Sequence, residues 1–248
     1  MFAIAIVAAA LAGWVDAVIG GGGLILIPVL MAATSMPPAA ILATNKVAAV
    51  SGTASAAATL VRRVGVPRHT WVYALIAGSL SAAGALAASL IDASLLRPTI
   101  LVLLIAVGVF VAVKPEFGTS DAELPPLLTR RRVLGAAGLV AVIGFYDGTF
   151  GPGTGMFLIM GFTALFAQNF VRSAAMAKVI NTATNIGALV VFISAGLVDW
   201  PLALALAAAN VAGAQIGART VLGGGAKLVR YALLTLVVVL STYLAVQL

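Results

Sequence analysis

The sequence predicts an all-α polytopic membrane protein made of two inverted repeats. Each repeat has about five helical segments, of which the first two are short, broken or re-entrant at glycine-rich turns. Three observations carry this. Of 248 residues, 62% are hydrophobic and only 8% charged, with a mean hydropathy of +1.18; a soluble domain uses about 25% charged residues to cover its surface. Apolar runs recur at bilayer-spanning length. Rare residues recur in the same order in the two halves of the chain.

Breaks at charged and Pro/Gly positions divide the chain into ten segments. The first repeat, residues 1–113, holds Phe2–Ile19, Leu24–Ala33, Pro38–Val61, Thr70–Ile91 and Leu95–Val113. A polar connection, residues 114–132, leads to the second repeat, residues 133–248. There the segments are Val133–Phe150, Thr154–Phe166, Phe170–Ala195, Trp200–Leu222 and Ala226–Val246. Phe2–Ile19 is read as retained and not as a secretory signal, because it has no basic n-region, contains Asp16 and lacks a small-residue cleavage site.

The repeat is read from aligned motifs. "GWVDAVIGGGG" matches "GFYDGTFGPGT", pairing Gly13 with Gly144, Asp16 with Asp147 and Gly20 with Gly151. With a shift of one residue, "ATNKVAAVSGT" matches "AMAKVINTATN" and pairs Lys46 with Lys178; Gly65 and Gly196 agree further on.

Arg62, Arg63 and Arg68 follow the third segment, whereas "GLVDWP" after the eighth has no basic residue. Arg97 alone follows the fourth, whereas Arg219, Lys227 and Arg230 follow the ninth. Basic loops stay cytoplasmic, so this reversed bias predicts copies of opposite orientation, a cytoplasmic central loop (Lys114, Arg130, Arg131, Arg132) and both termini on the non-cytoplasmic side of the membrane. The second and seventh segments reach only about 15–20 Å, against a hydrocarbon core of about 30 Å. Each either dips in and returns with its predecessor or crosses at a tilt. A single interrupted span would make the copies parallel, against the charge pattern.

Cysteine is absent, which excludes disulfides and thiolate metal sites. His69, the lone histidine, sits in the basic stretch "RRVGVPRHTW" and reads as a solvated loop side chain. The net charge of +7 is dispersed over short loops and fits membrane orientation, not nucleic-acid binding.

Four charges fall inside apolar segments: Asp16, Lys46, Asp147 and Lys178. Each costs at least about 2.5–3.5 kcal/mol at the centre of a lipid-exposed helix, so they face protein or a watery cavity, either as two register-fixing ion pairs or as the lining of a solute or proton route. Lys46 and Lys178 both lie about 12 Å into their segments, and oppositely oriented copies would bring two ammonium groups together as an anion site. The runs containing Gly21, Gly22, Gly23, Gly153 and Thr154 each precede a short helix and offer free amides and a positive dipole end to an anion; alternatively they serve only tight turns or close packing. Asn45, Asn181 and Asn185 are polar companions of the lysines, and Ser51 and Thr53 lie one to two turns beyond Lys46. Gln215, Arg219 and Trp71 read as packing or interface residues. Asp16 and Asp147 either neutralise the lysines at rest or also take up protons and couple movement to a proton gradient.

At these residues the chain resembles the sulfite exporter TauE/SafE family of permeases over nearly its whole length. The likeness lies in "GxxDAxxGGGGxxxxPxL" near the start, "AxxKxxN", "TNIGALVVF" (184–192), "GLVDW" (196–200) and "GAQIGA" (213–218). It implies an α-helical inner-membrane carrier that exports sulfite or a related organosulfur anion. "GPGTGMFLIM" departs from the pattern in lacking the proline that Pro28 supplies to the first copy, so the half-sites are unequal.

The expected function is therefore secondary transport of a small anion, with a passive anion channel or a cation site built on the aspartates as alternatives. The chain is not expected to be an enzyme: HExxH, GxSxG and a membrane histidine are missing, and the lysines would hold an Asp16–Asp147 protease-like pair ionised. Expected partners are a small anionic substrate and the lipid bilayer, with a homodimer allowed, and no nucleic acid, cofactor or metal.

Overall fold

The computed structural model describes residues 2–113 and 129–223. Among them are nine helices: α1 (Phe2–Ile19), α2 (Gly23–Ala33), α3 (Pro38–Val64), α4 (His69–Leu90), α5 (Ala93–Val113), α6 (Arg130–Thr149), α7 (Thr154–Phe166), α8 (Phe170–Ser194) and α9 (Trp200–Leu222). Four of these, α1, α4, α8 and α9, are long and apolar enough to cross a membrane. The expected tenth segment, Lys114, Lys227 and Arg230 lie outside the described residues. Arg130, Arg131 and Arg132, expected in the connecting loop, form the first turn of α6 behind the Thr129 cap.

The short helices fold back along their predecessors. Arg132 donates from its guanidinium to the carbonyl of Leu165 at 3.0 Å, and a Cβ on Gly161 would strike Leu139, so α7 runs antiparallel to α6. Likewise Gly22 lies against Asp16 and Ala12, so α2 reverses along α1. Each pair is a hairpin and not one interrupted span. From Arg132 to Asp147, near the tip of the second hairpin, is about 22 Å along the helix.

The hairpins meet tip to tip. The Gly20 turn abuts Gly155, and Met156 N–H donates to Gly20 C=O at 3.3 Å. Gly20 (φ 83°) and Gly151 (φ 90°) adopt the left-handed backbone that lets each chain reverse without a Cβ penalty. The open ends lie at opposite ends of the molecule. Thr44, near the start of α3, accepts from the N–H of Asp199, just past the end of α8, so α3 and α8 run antiparallel beside the tips.

Close helix contacts are made by small residues, as expected where lipid supplies no hydrophobic drive between helices. Gly213 and Gly217 of α9 sit on the backbone of α1, Gly84 and Gly148 join α4 to α6, and Gly78 and Gly187 join α4 to α8. Large apolar side chains such as Leu75, Val142, Val190 and Leu204 face outward, consistent with a lipid-facing surface.

Charge divides the two ends. Arg62 and Arg63 end α3, Arg68 precedes α4, and Tyr73 of α4 donates to Val133 C=O beside Arg130–Arg132. The other end holds Asp92, Arg97 and Asp199. His69 departs from its expected solvated-loop role. It begins α4, its ring lies 5.3 Å from that of Tyr73 and 5.7 Å from that of Phe166, and its Nε2 is buried without a partner.

Candidate functional site

The site lies where the two tips meet α3, α8 and α9. α3 begins at Pro38, a favourable first-turn residue, and carries Asn45 and Lys46 inward within its most buried stretch. α8 starts at the Asn169 cap and does the same for Lys178, Asn181 and Asn185. All five are buried, Lys46 and Lys178 to 3% and 0% exposure. Both lysines are too deep to snorkel to a headgroup.

Each ammonium is paired with an aspartate from the other half of the chain. Lys46 Nζ lies 2.7 Å from Asp147 Oδ2, and Lys178 Nζ lies 2.7 Å from Asp16 Oδ2. Lys46 also donates to Asn185 Oδ1 at 2.9 Å, and Asn185 is held by its own amide donating to Asn181 C=O at 2.8 Å. Thr154, the first residue of α7, donates its hydroxyl to Asp147 Oδ1 at 2.7 Å. Lys178 donates in addition to the main-chain carbonyl of Asp16, near the negative end of the α1 dipole. The Gly22 amide approaches Asp16 Oδ1 at 3.4 Å.

These groups surround a cavity of about 30 Å³ measured at water centres, more than the roughly 10–15 Å³ that one water requires. Its wall includes Asp16, Gly20, Gly22, Gly23, Asn45, Lys46, Asp147, Gly151, Thr154, Gly155, Asn181, Asn185 and Asn210. The starts of α2 and α7 point into it, and neither has a side-chain cap. The cavity has room for about two water-sized groups.

Of the residues singled out in the sequence, Asp16, Asn45, Lys46, Asp147, Thr154, Asn181, Asn185, Gly22 and Gly23 are brought together in this wall. Gly21, Gly153 and Lys178 are not part of it. Gly21 turns its carbonyl to the N–H of Leu24, and Gly153, the α7 cap residue at φ 79°, faces Val107 of α5. Lys178 lies behind Asp16, so the cavity presents one ammonium and not the expected converging pair. Ser51 and Thr53 bond to their own helix, and Gln215 joins α9 to Ser55.

Asn210 of α9 was missed. Its Nδ2 donates to Ala9 C=O at 3.0 Å, and its Oδ1 occupies the space that Gly52 leaves open. A single amide inside the apolar run "LALAAANVAGA" was the available signal.

Chemically, two ammonium groups and two carboxylates cancel around a polar cavity. Among the described residues no cluster of His, Asp or Glu is suited to a metal ion. An anion entering this balanced site brings uncompensated charge into a low-dielectric interior, which is costly unless a cation or proton accompanies it.

The chain is similar over its full length to the probable membrane transporter protein ORF9 of a Sinorhizobium species, at 35% identity and covering 92% of that protein. It is 36% identical to the probable membrane transporter protein YfcA of Escherichia coli strain K12, over 97% of this chain and 86% of that one. A probable membrane transporter protein of Haemophilus influenzae is 33% identical over 89% of this chain and 85% of its own length. No solved structure matches. The family model "Sulfite exporter TauE/SafE" matches residues 5–244, and with these full-length relatives it shows that the chain, a multi-pass helical membrane transporter, belongs to the sulfite exporter TauE/SafE family.

Proposed function

We propose that this protein exports a small anion, sulfite or a short organosulfonate, across the inner membrane, binding it between the hairpin tips and coupling its passage to protons. The observation that carries this is the pair of crossed, charge-cancelling bridges, Lys46–Asp147 and Lys178–Asp16, at a polar cavity where two hairpins from opposite ends meet. An anion competes with Asp147 for the Lys46 ammonium, assisted by Asn45, Asn181 and the uncapped amides of the tips. Protonation of an aspartate supplies the missing charge balance. The small cavity favours sulfite over a longer sulfonate.

The antiparallel α3 and α8 support copies of opposite orientation. The arginine-rich end, carrying Arg62, Arg63, Arg68 and Arg130–Arg132, is the cytoplasmic one by the positive-inside rule, which puts the N-terminus on the other side. The bonded Gly20–Met156 tips stand in the path between the two ends, which favours a carrier that moves over an open channel.

Uptake of radiolabelled sulfite by proteoliposomes tests this. Slow, saturable flux that other small sulfur oxyanions compete with, and that Lys46→Ala lowers by at least ten-fold, is expected. Large unitary currents in a planar bilayer, or flux competed by sodium and not by oxyanions, would overturn it.

A further inference from the structure

The two ion pairs share their 2.7 Å geometry and differ in everything around it. Lys46–Asp147 is closed: both side chains are 3% exposed, the second carboxylate oxygen takes the Thr154 hydroxyl, and the ammonium takes Asn185 as well. In the other pair Lys178 is fully buried while the Asp16 side chain is 16% exposed and fronts the cavity. By the repeat alignment Gly23 stands where Thr154 stands in the second half, so Asp16 Oδ1 has no hydroxyl donor, only the 3.4 Å amide of Gly22. Thr53 stands where Asn185 stands, and its hydroxyl is spent on Ala49 C=O at 2.7 Å.

We propose that the two pairs divide the work: Asp16 is the carboxylate that carries the proton, Lys46 is the cation that meets the anion, and Lys178 and Asp147 are positioning residues. This rests on the transport function proposed above. A proton arriving through cavity water reaches Asp16 Oδ1, the less committed oxygen. When Asp16 becomes neutral, Lys178 still holds the main-chain carbonyl of Asp16 at the end of α1, where the negative end of the helix dipole offsets part of its charge. Asp147 is less accessible: its side chain is 3% exposed, and its second oxygen already accepts from the Thr154 hydroxyl, which an incoming proton would have to displace.

The charge count closes. One proton takes the four-group site from zero to +1, a monoanion such as hydrogensulfite returns it to zero, and release of both restores the start, so net export is electroneutral and runs down the anion's own gradient. The charged groups facing Asp16 are Lys178 from α8 and, across the cavity, Lys46 from α3 and Asp147 from α6. From α2, α7 and α9 the cavity receives Gly22, Thr154 and Asn210, none of them ionisable.

The full chain in proteoliposomes, with radiolabelled sulfite, tests the division. Asp16→Asn should cut accumulation driven by a pH gradient at least ten-fold while counterflow exchange, which needs no net proton transfer, falls several-fold less; Asp16→Glu should restore the gradient response. Asp147→Asn should lower both modes together and keep their ratio. A second measurement is proton uptake by detergent-solubilised protein on adding sulfite, corrected by a protein-free blank. About one proton per bound anion is expected in wild type and in Asp16→Glu, and none in Asp16→Asn. Loss of gradient response in Asp147→Asn but not in Asp16→Asn, or equal loss in both, overturns the division. Wild type that moves and binds no anion overturns the transport function itself, and the division with it.

Discussion

Met156, in the first turn of α7, gives its main-chain N–H to the carbonyl of Gly20 at the end of α1, joining the two hairpin tips. The contact is possible only because both sides lack a Cβ. One placed on Gly20 would lie 2.2 Å from the Gly155 carbonyl carbon, and one on Gly155 would lie 2.6 Å from Gly20 Cα.

Gly20→Ala is therefore expected to destabilise the protein by more than about 2 kcal/mol, combining a left-handed backbone with a backbone clash that cannot relax through a flexible side chain. Gly155→Ala should act similarly through the clash alone. Gly23→Ala, whose Cβ would make ordinary contact with Ile27 at 3.4 Å, should keep the fold. Thermal unfolding in detergent orders the three; a Gly20→Ala protein as stable as wild type would mean the tips are not joined.

The buried bridge makes a second, separable prediction. Removing one partner, as in Lys46→Met or Asp147→Leu, should cost about 3–5 kcal/mol because it strands the other charge in the interior. The double variant Lys46→Met/Asp147→Leu should recover most of that loss while transport stays absent. Additive losses in the double-mutant cycle would show that the two side chains do not pair.

Most of the helical architecture could be read from the chain. Phe2–Ile19, Thr154–Phe166 and Trp200–Leu222 were bounded to the residue by their caps and breaks, because apolar runs in lipid end where backbone can meet water or a turn. The four membrane charges were legible because each is too costly to be incidental. What could not be read was which partner each charge takes. Lys46 finds Asp147 and not Asp16 because its side chain reaches across the cavity to the second hairpin, although α3 itself packs beside α1 and α2 of the first, and such tertiary placement leaves no local trace. The same limit hid Lys178 behind Asp16, drew Asn210 into the wall, and folded His69 onto Tyr73 and Phe166.

Helix contacts through small residues predict a graded glycine series. A Cβ at Gly148 would lie 1.9 Å from Ser81 C=O and one at Gly213 would lie 1.8 Å from Ala10 C=O, so Gly148→Ala and Gly213→Ala should push α6 from α4 and α9 from α1, costing about 1–3 kcal/mol each. Gly138, also in α6, has nothing within 4 Å of its Cβ position. Gly138→Ala should be neutral or stabilising by up to about 1 kcal/mol through helix propensity. Melting temperatures that fail to separate Gly138 from the other two would contradict the close packing.

Asn210 offers the sharpest test of the cavity wall from α9. Gly13 of α1 packs against the backbone of Asn210 just as its counterpart Gly144 of α6 packs against Ala77, so the position equivalent to Asn210 in the other half carries a methyl group, and the amide polarises one side of the site only. One Nδ2 hydrogen is spent on Ala9 C=O, leaving the second to donate toward a bound oxyanion. Asn210→Ala should remove that donor at a cost of about 1 kcal/mol, raising KM for sulfite about five-fold with little change in maximal flux. Asn210→Asp, which presents acceptors and a further negative charge to the same space, should lower flux far more than the alanine variant. Concentration-dependent uptake for both variants, alongside their unfolding temperatures, checks this: a fall in stability without a rise in KM would make Asn210 only a tie between α9 and α1.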